Sequence, residues 1–254
     1  MELHILGCDG GALLEHKPPG FLFDKRFLLD AGTICSALPL EDIEKIDHVF
    51  ISHSHVDHIK DLGLMADLLT GRRSKPVRIY STAQVLTYLR EHYFNNKIWP
   101  DFSSIPQEQP VLELVEIEPM TELNIDGVRF TAIPVNHTIE TCGYLISWDG
   151  GSFLYSADTG PTELLWEVAN QTPDLKGVII DVAFPSKLQF LADISCHLTP
   201  ASVAQELTKL NDSSVPIFFF HLKPAFYEQM LQELRPLLNN KRRVLRPGER
   251  YKLS

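Results

Sequence analysis

A layered α/β or α+β sandwich is the fold class this sequence predicts, and two patterns carry the prediction. Short runs of β-branched and aromatic residues alternate with recognisable helix starts along the 254 residues. Some neighbouring runs are joined by tight polar turns and others by helical stretches, so hairpins and crossovers coexist, and that mixture favours packed mixed sheets over one open parallel sheet.

Taken in order, residues 3–6, 21–23 and 27–29 read as strands, the last two joined by the turn Asp24-Lys25-Arg26. Further strands are expected at 49–51, 78–80, 128–134, 143–148, 153–155, 178–181 and 217–220, with Asp149-Gly150-Gly151 as a second hairpin turn. Helix starts are legible between them. Ser81-Thr82-Ala83-Gln84 has capping-box spacing ahead of Val85, Leu86 and Leu89. Gly160-Pro161 opens a helix over 162–169, and Thr199-Pro200 sets a cap residue before a helical proline. A last helix is expected over 226–234, where Phe226, Met230, Leu231 and Leu234 share one face.

The length is enough to bury a large core, and one domain over 1–254 is expected because the motif residues described below span most of the chain. A net charge of −10 argues against a broad, sequence-independent nucleic-acid surface, which needs Lys and Arg. It does not exclude one small anionic substrate. Met1-Glu2-Leu3-His4-Ile5-Leu6 lacks a basic n-region, and no apolar run reaches membrane-span length, so a soluble cytoplasmic protein is the expectation. Cys8, Cys35, Cys142 and Cys196 are widely spaced and read as reduced thiols.

Chemistry concentrates in His53-Ser54-His55-Val56-Asp57-His58, directly after the apolar run Val49-Phe50-Ile51. Imidazole nitrogens and carboxylate oxygens are natural ligands of Zn²⁺ and similar ions, and clustering them is costly unless a cation compensates. His137, Asp158 and His221 each follow a strand of their own, so apolar strands would anchor the backbone while the loops at their ends aim polar side chains into a common cleft.

With that spacing the chain resembles the metallo-β-lactamase superfamily over nearly its whole length. The resemblance implies a four-layer αββα sandwich and two divalent ions, Zn²⁺ in the first place, with Mn²⁺ or Fe²⁺ accepted by the same ligands. It implies that His53, His55 and His137 hold one ion, Asp57, His58 and His221 the other, and that Asp158 bridges both. Asp30 in Leu29-Asp30-Ala31-Gly32 matches the family's early aspartate, a support for the ligands. Phe94-Asn95-Asn96-Lys97-Ile98-Trp99-Pro100, Ala157-Asp158-Thr159-Gly160-Pro161, Cys196-His197-Leu198-Thr199-Pro200 and His221-Leu222-Lys223-Pro224 resemble the class II cyclic-nucleotide phosphodiesterases.

That narrower resemblance implies hydrolysis of 3′,5′-cyclic AMP, with cyclic GMP not distinguished, to the 5′-monophosphate by a hydroxide held at the two ions. Asp57 and Asp158 serve at the metals, Asp158 also orienting the nucleophile. His197, beside an expected helix N-terminus, contacts phosphate or assists the leaving oxygen. Trp99, Phe94, Asn95 and Asn96 are the expected contacts of the base. His4, His16, His48 and His92 fit no motif position. A homodimer is the expectation for a soluble enzyme of this resemblance.

Two rivals remain. A ribonuclease Z-like tRNA 3′ endonuclease shares the ligands and the extra histidine, but between Pro76 and Asp126 only Arg78, Arg90 and Lys97 face eight acidic residues, and no Gly-rich basic arm is visible. A non-catalytic metal-binding nucleotide sensor would bind without turnover.

Overall fold

The computed structural model describes residues 1–253. In chain order its strands are β1 (Glu2–Gly7), β2 (Gly20–Phe23), β3 (Phe27–Leu29), β4 (His48–Phe50), β5 (Val77–Ser81), β6 (Leu112–Glu116), β7 (Glu122–Ile125), β8 (Val128–Pro134), β9 (Cys142–Trp148), β10 (Gly151–Tyr155), β11 (Leu175–Asp181), β12 (Ile217–Phe220), β13 (Arg242–Val244) and β14 (Arg250–Lys252). The α-helices are α1 (Leu40–Ile43), α2 (Val56–Leu69), α3 (Ala83–Tyr88), α4 (Leu164–Gln171), α5 (Gln189–Ser195), α6 (Pro200–Glu206) and α7 (Tyr227–Leu234).

They build two seven-stranded sheets, ordered β14-β1-β2-β3-β4-β5-β6 and β13-β12-β11-β10-β9-β8-β7. Each sheet is antiparallel on one side and parallel on the other, the parallel sets being β3 to β6 and β10 to β13. Helices α1, α2 and α3 cover the outer face of the first sheet through Ile43, Leu62 and Val85. Helices α4, α6 and α7 cover the second through Leu165, Val203 and Met230. Four layers, αββα, follow from binary patterning that buries both faces of each sheet.

Between the sheets the core is aromatic. Phe50 of β4 stacks on Phe130 of β8 with centroids 4.1 Å apart, and Phe21 of β2 lies 5.1 Å from Tyr155 and 5.6 Å from Phe220. Truncating one such ring costs about 3–5 kcal/mol, so these contacts fix the spacing of the sheets from which the functional loops spring.

Strand direction then decides where those loops emerge. β8 and β10 both run antiparallel to β9, and β11 and β12 continue parallel to β10. The C-terminal ends of β8, β10, β11 and β12 therefore share one edge, facing the end of β4.

The expected strands are all present, and the four that the sequence reading omits, β6, β7, β13 and β14, are the four sheet edges. Edge strands are short and charged because they must not recruit another chain, and Arg242-Arg243-Val244 and Arg250-Tyr251-Lys252 lose their apolar signature for that reason. Helix α2, the longest, also lacks an expected start, since His55 occupies its N-cap without a side-chain capping bond. Its buried face, His58, Ile59, Leu62, Met65, Ala66 and Leu69, nevertheless has helical spacing.

Two helix starts need correction. Strand β5 runs through Ser81, whose hydroxyl donates to the Ile51 carbonyl, so Thr82 becomes the N-cap of α3 and makes no capping bond. Helix α4 begins at Leu164 rather than 162. At α6 the expected cap holds, with Thr199 accepting from the Ser202 N–H and Pro200 at the first turn. The four cysteines are unpaired, Cys8 and Cys142 being buried. Among the described residues no helix is long and apolar enough to cross a membrane.

Candidate metal centre

The loops after β4, β8, β10 and β12, together with the first turn of α2, bring His53, His55, Asp57, His58, His137, Asp158 and His221 to one place. His53 Nε2 lies 3.0 Å from His55 Nδ1, which lies 3.2 Å from His137 Nε2. On the other side His221 Nε2 lies 3.3 Å from both Asp57 Oδ2 and Asp158 Oδ2, and His58 Nε2 lies 3.3 Å from Asp158 Oδ1. Asp158 thus stands between a three-histidine group and an Asp-His-His group. His53, His58, Asp158 and His221 are buried, whereas His55, Asp57 and His137 are partly exposed and form the mouth.

Hydrogen bonding on the far side of the His53, His58 and His137 rings fixes which nitrogen faces inward. The Cys196 carbonyl can only accept, so His137 Nδ1 donates to it (3.1 Å) and Nε2 is left bare. His58 Nδ1 donates to Asp30 Oδ2 at 2.7 Å with the same result. Ser52 Oγ donates to Asp30 Oδ2 at 2.8 Å and therefore accepts from His53 Nδ1 at 2.9 Å. Bare nitrogens of separate rings converge on one another, an arrangement that repels unless a cation lies between them.

These residues fit a metal pair. Two nitrogens bound to one tetrahedral ion at about 2.0–2.1 Å stand roughly 3.3 Å apart, close to the separations found. His58 Nε2 and Asp158 Oδ1 are buried without a hydrogen-bond partner, although they lie near each other. Electrostatics agree. Burial depresses the pKa of His53, and neighbouring histidines depress it further; burial likewise brings His137 down to about 4. Burial also opposes charge on His58, yet Asp158 and Asp30 outweigh it and hold its pKa well above the usual value. Asp158 is driven well below the carboxylate range, because His221 and His58 overcome its own burial. The cluster recruits positive charge where the ligand atoms meet.

Asp181, at the end of the apolar strand β11, is the principal residue missed by sequence reasoning. It is fully buried; Oδ2 accepts from His197 Nδ1 at 3.1 Å and from the Leu198 N–H at 3.0 Å, while Oδ1 lies 3.2 Å from His221 Nδ1. Its position behind two rings marks it as their holder, since both Nε2 atoms point elsewhere. The available signal was a carboxylate closing the run Val178-Ile179-Ile180. Ser52 and Tyr155 were likewise missed. Tyr155 donates to Asp30 Oδ2 at 2.6 Å, so that one oxygen receives three donors.

The backbone is strained around this edge. Asp30 (φ 56°), Ala157 (φ 54°), Cys196 (φ 51°) and His221 (φ 70°) all adopt the left-handed region, at about 1–2 kcal/mol each. Such conformations persist where the surroundings over-determine them, as when the His221 N–H donates to the Cys8 carbonyl at 2.6 Å. Gly32 leaves no room for a side chain over the Asp57 carbonyl, so the loop after β3 can press against the start of α2.

His197 joins the cluster. Its ring centroid lies 5.0 Å from that of His221 and 5.1 Å from that of His137. The loop expected to hold a base packs differently. Phe94 is only 2% exposed within the apolar core, so its ring has no face to offer a base, which corrects the expectation for that residue. Asn95 Oδ1 accepts from the N–H groups of Lys97 and Ile98, and Asn96 Oδ1 from that of Asp101. Trp99 sits over Gly63 of α2, where an added Cβ would come within 2.7 Å of the indole. Among the described residues none of these four side chains hydrogen-bonds the ligand cluster.

Comparison with known proteins accords with this architecture. A beta-lactamase superfamily domain matches residues 25–221. A probable 3′,5′-cyclic-nucleotide phosphodiesterase of Yersinia pestis is 29% identical over 265 aligned residues, covering 92% of this chain and 73% of that protein. A 3′,5′-cyclic-nucleotide phosphodiesterase of Aliivibrio fischeri is 28% identical over 66% of this chain, which spans 54% of its length. A ribonuclease Z of Methanococcus aeolicus is 29% identical over 58% of the chain and 46% of its own length. Unliganded yeast PDE1 superposes with a TM-score of 0.81 at 19% identity, covering 98% of each chain, a likeness of fold. The convergent His/Asp cluster, the αββα layers and the family match together place this chain in the metallo-β-lactamase superfamily.

Proposed function

We propose that this protein hydrolyses 3′,5′-cyclic nucleotides, cyclic AMP among them, to nucleoside 5′-monophosphates. In this reading His53, His55 and His137 hold one divalent ion and Asp57, His58 and His221 a second, with Asp158 shared. Zn²⁺ suits such a mixed nitrogen and oxygen set, and Mn²⁺ or Fe²⁺ would also be accepted. Bound there, the ions would supply Lewis-acid polarisation of the phosphoryl oxygens and ease deprotonation of the attacking water.

The observation that carries the reading is the placement of His197. Asp181 holds its Nδ1, leaving Nε2 without a protein partner among the described residues, and the ring abuts the ligand histidines. A phosphodiester needs a proton or hydrogen bond at its departing oxygen as the phosphorus–oxygen bond breaks, and His197 Nε2 would furnish it to the 3′ oxygen. Asp181 would stabilise the charged ring before transfer and keep it oriented afterwards. Asp158 would orient the nucleophile, and Asp30 with Ser52 would hold His58 and His53 in register. The similarity to a phosphodiesterase across 92% of the chain supports the same chemistry.

The second reading, tRNA 3′ processing, is favoured by the ribonuclease Z similarity and would use the same histidine. The scarcity of Lys and Arg between Pro76 and Asp126 weighs against it. A substrate panel with purified, metal-loaded protein separates them. Cyclic AMP should yield 5′-AMP, strong chelation should abolish turnover, and precursor tRNA should remain intact. Efficient cleavage of precursor tRNA with no cyclic-nucleotide turnover would refute the proposal.

A further inference from the structure

A cavity of about 430 Å³ lies between β1, the loop 9–17 that follows it, Tyr227 at the start of α7 and the turn 246–248 between β13 and β14. Its volume falls in the range of small-molecule sites, and none of the metal-ligand residues lines it. Backbone bonds hold its walls in place. The Cys8 and Asp9 N–H groups both donate to the Lys17 carbonyl, at 2.9 and 2.8 Å, and the Gly248 N–H donates to the Ile5 carbonyl at 2.7 Å. The loop after β1 is pinned in turn to the strand that carries His221, since the Gly10 N–H donates to the Leu222 carbonyl at 3.1 Å.

Two independent observations describe what this cavity would accept. His4 of β1 is only 9% exposed and lines the cavity, yet its ring has no hydrogen-bond partner among the described residues. Its nitrogens are not sealed from solvent as His58 Nε2 is, so they are open to whatever fills the space. Burial and the nearby Arg250 hold its pKa below the ordinary value, and the neutral ring keeps one N–H to donate. The second observation is the balance of charge. Lys17 Nζ donates only to the Ser36 carbonyl, at 3.1 Å, and the Arg246 side chain has neither hydrogen bond nor ion pair among the described residues. Two carboxylates face them. Asp9 is buried and already matched, Oδ1 by His16 Nδ1 at 3.1 Å and Oδ2 by the Lys17 N–H at 2.8 Å. Glu15 is exposed, where solvent screens its charge. Two unpaired cations, an open imidazole and the unpartnered Tyr227 hydroxyl therefore make the cavity rich in donors.

We propose that this cavity is a second anion site, separate from the metal centre, and that it takes a phosphate dianion, free or as a monoester. Lys17 and Arg246 would balance its two charges, the guanidinium through paired N–H donors, while His4 and Tyr227 would bond the oxygens that remain. A carboxylate, with one charge and two oxygens, would leave a cation and two donors unmatched. The inference goes beyond the substrate reading and stands whichever phosphodiester the metal centre cleaves.

The test titrates the zinc-loaded protein at constant pH and ionic strength with inorganic phosphate, 5′-AMP and adenosine, and follows histidine side-chain ¹H–¹⁵N spectra. The His4 signals are identified by their loss in His4→Gln. Anions at the metal centre move the ligand histidines, whereas anions in the cavity move His4, so the two sites are read apart. Both phosphate-bearing probes should shift His4 saturably, and adenosine should not. Free phosphate binding as well as 5′-AMP would make the phosphate group sufficient; tighter binding of 5′-AMP would make a nucleoside monophosphate the ligand. In the combined variant Lys17→Gln and Arg246→Gln the affinity read at His4 should fall about tenfold or more, the scale of one charge-assisted hydrogen bond, while metal content and turnover of bis(4-nitrophenyl) phosphate stay at wild-type values. His4 signals unmoved by either phosphate probe at millimolar concentration, or an affinity undiminished in the combined variant, would overturn the site. Adenosine shifting His4 as strongly as 5′-AMP would overturn the assignment to phosphate.

Discussion

Replacing Asp30 with Asn should damage both the fold and the metal centre, because this carboxylate ties together the two halves of the ligand set. Asp30 is fully buried; Oδ1 accepts from the Ser52 N–H at 2.8 Å, and Oδ2 accepts from Ser52 Oγ at 2.8 Å, His58 Nδ1 at 2.7 Å and Tyr155 OH at 2.6 Å. An amide has one acceptor atom and presents N–H groups on the other side. If its oxygen replaces Oδ2, three bonds change from charge-assisted to neutral, at about 1 kcal/mol each. Its NH₂ then opposes the Ser52 N–H, leaving an unsatisfied donor worth about 1–3 kcal/mol. The sum, about 4–6 kcal/mol, overlaps the range of about 3–5 kcal/mol typical of breaking a buried charged pair.

Because His58 is held directly and His53 through Ser52, metal affinity should also fall, by about 10- to 100-fold. Denaturant unfolding of chelator-stripped protein reads the first quantity, and competition with a colorimetric chelator reads the second. A stability loss below about 1 kcal/mol together with unchanged metal affinity would refute the claim that Asp30 organises the centre.

Two further predictions concern single histidines. His197→Ala should keep the wild-type metal content and lower kcat for cAMP by about 10²-fold or more, since the ring is assigned to the departing oxygen rather than to a metal; loss of a metal ion would reassign it as a ligand. His48 supplies a pH test away from the centre: burial holds its pKa below 6.5 while Phe27 and Tyr80 surround it. A depressed histidine pKa means the unfolded chain takes up the proton first, so this contribution to stability is complete above about pH 6.5 and declines as pH falls toward the folded-state pKa. Wild-type protein should therefore lose more stability than His48→Gln between pH 7.5 and pH 5, and equal losses in urea unfolding would exclude the effect.

Every metal-ligand candidate named from the sequence lies in the cluster, because ligation demands particular residue types and the HxHxDH spacing places four of them in one strand-to-helix turn. The apolar strands were equally legible, since burial on both faces leaves a continuous hydrophobic run. Helix α2 escaped because His55 stands where a Ser, Thr, Asp or Asn would announce a helix, and the site's chemistry displaced the signal. The edge strands escaped because their charges protect against pairing with other chains.

By itself the sequence determined which His and Asp side chains gather in one cluster and the sandwich class, both of which depend on residue type and local period. It could not rank one aspartate against another, or show whether a tryptophan loop faces a ligand or a helix. Tertiary structure decided that Asp181 stands behind His197 and His221, that Asp30 collects three donors on one oxygen, and that Phe94 is sealed in the core. Those roles exist only when residues 16 to 125 positions apart are brought within hydrogen-bond distance. The packing of two aromatic sheet faces sets that proximity, and no local pattern in the chain records it.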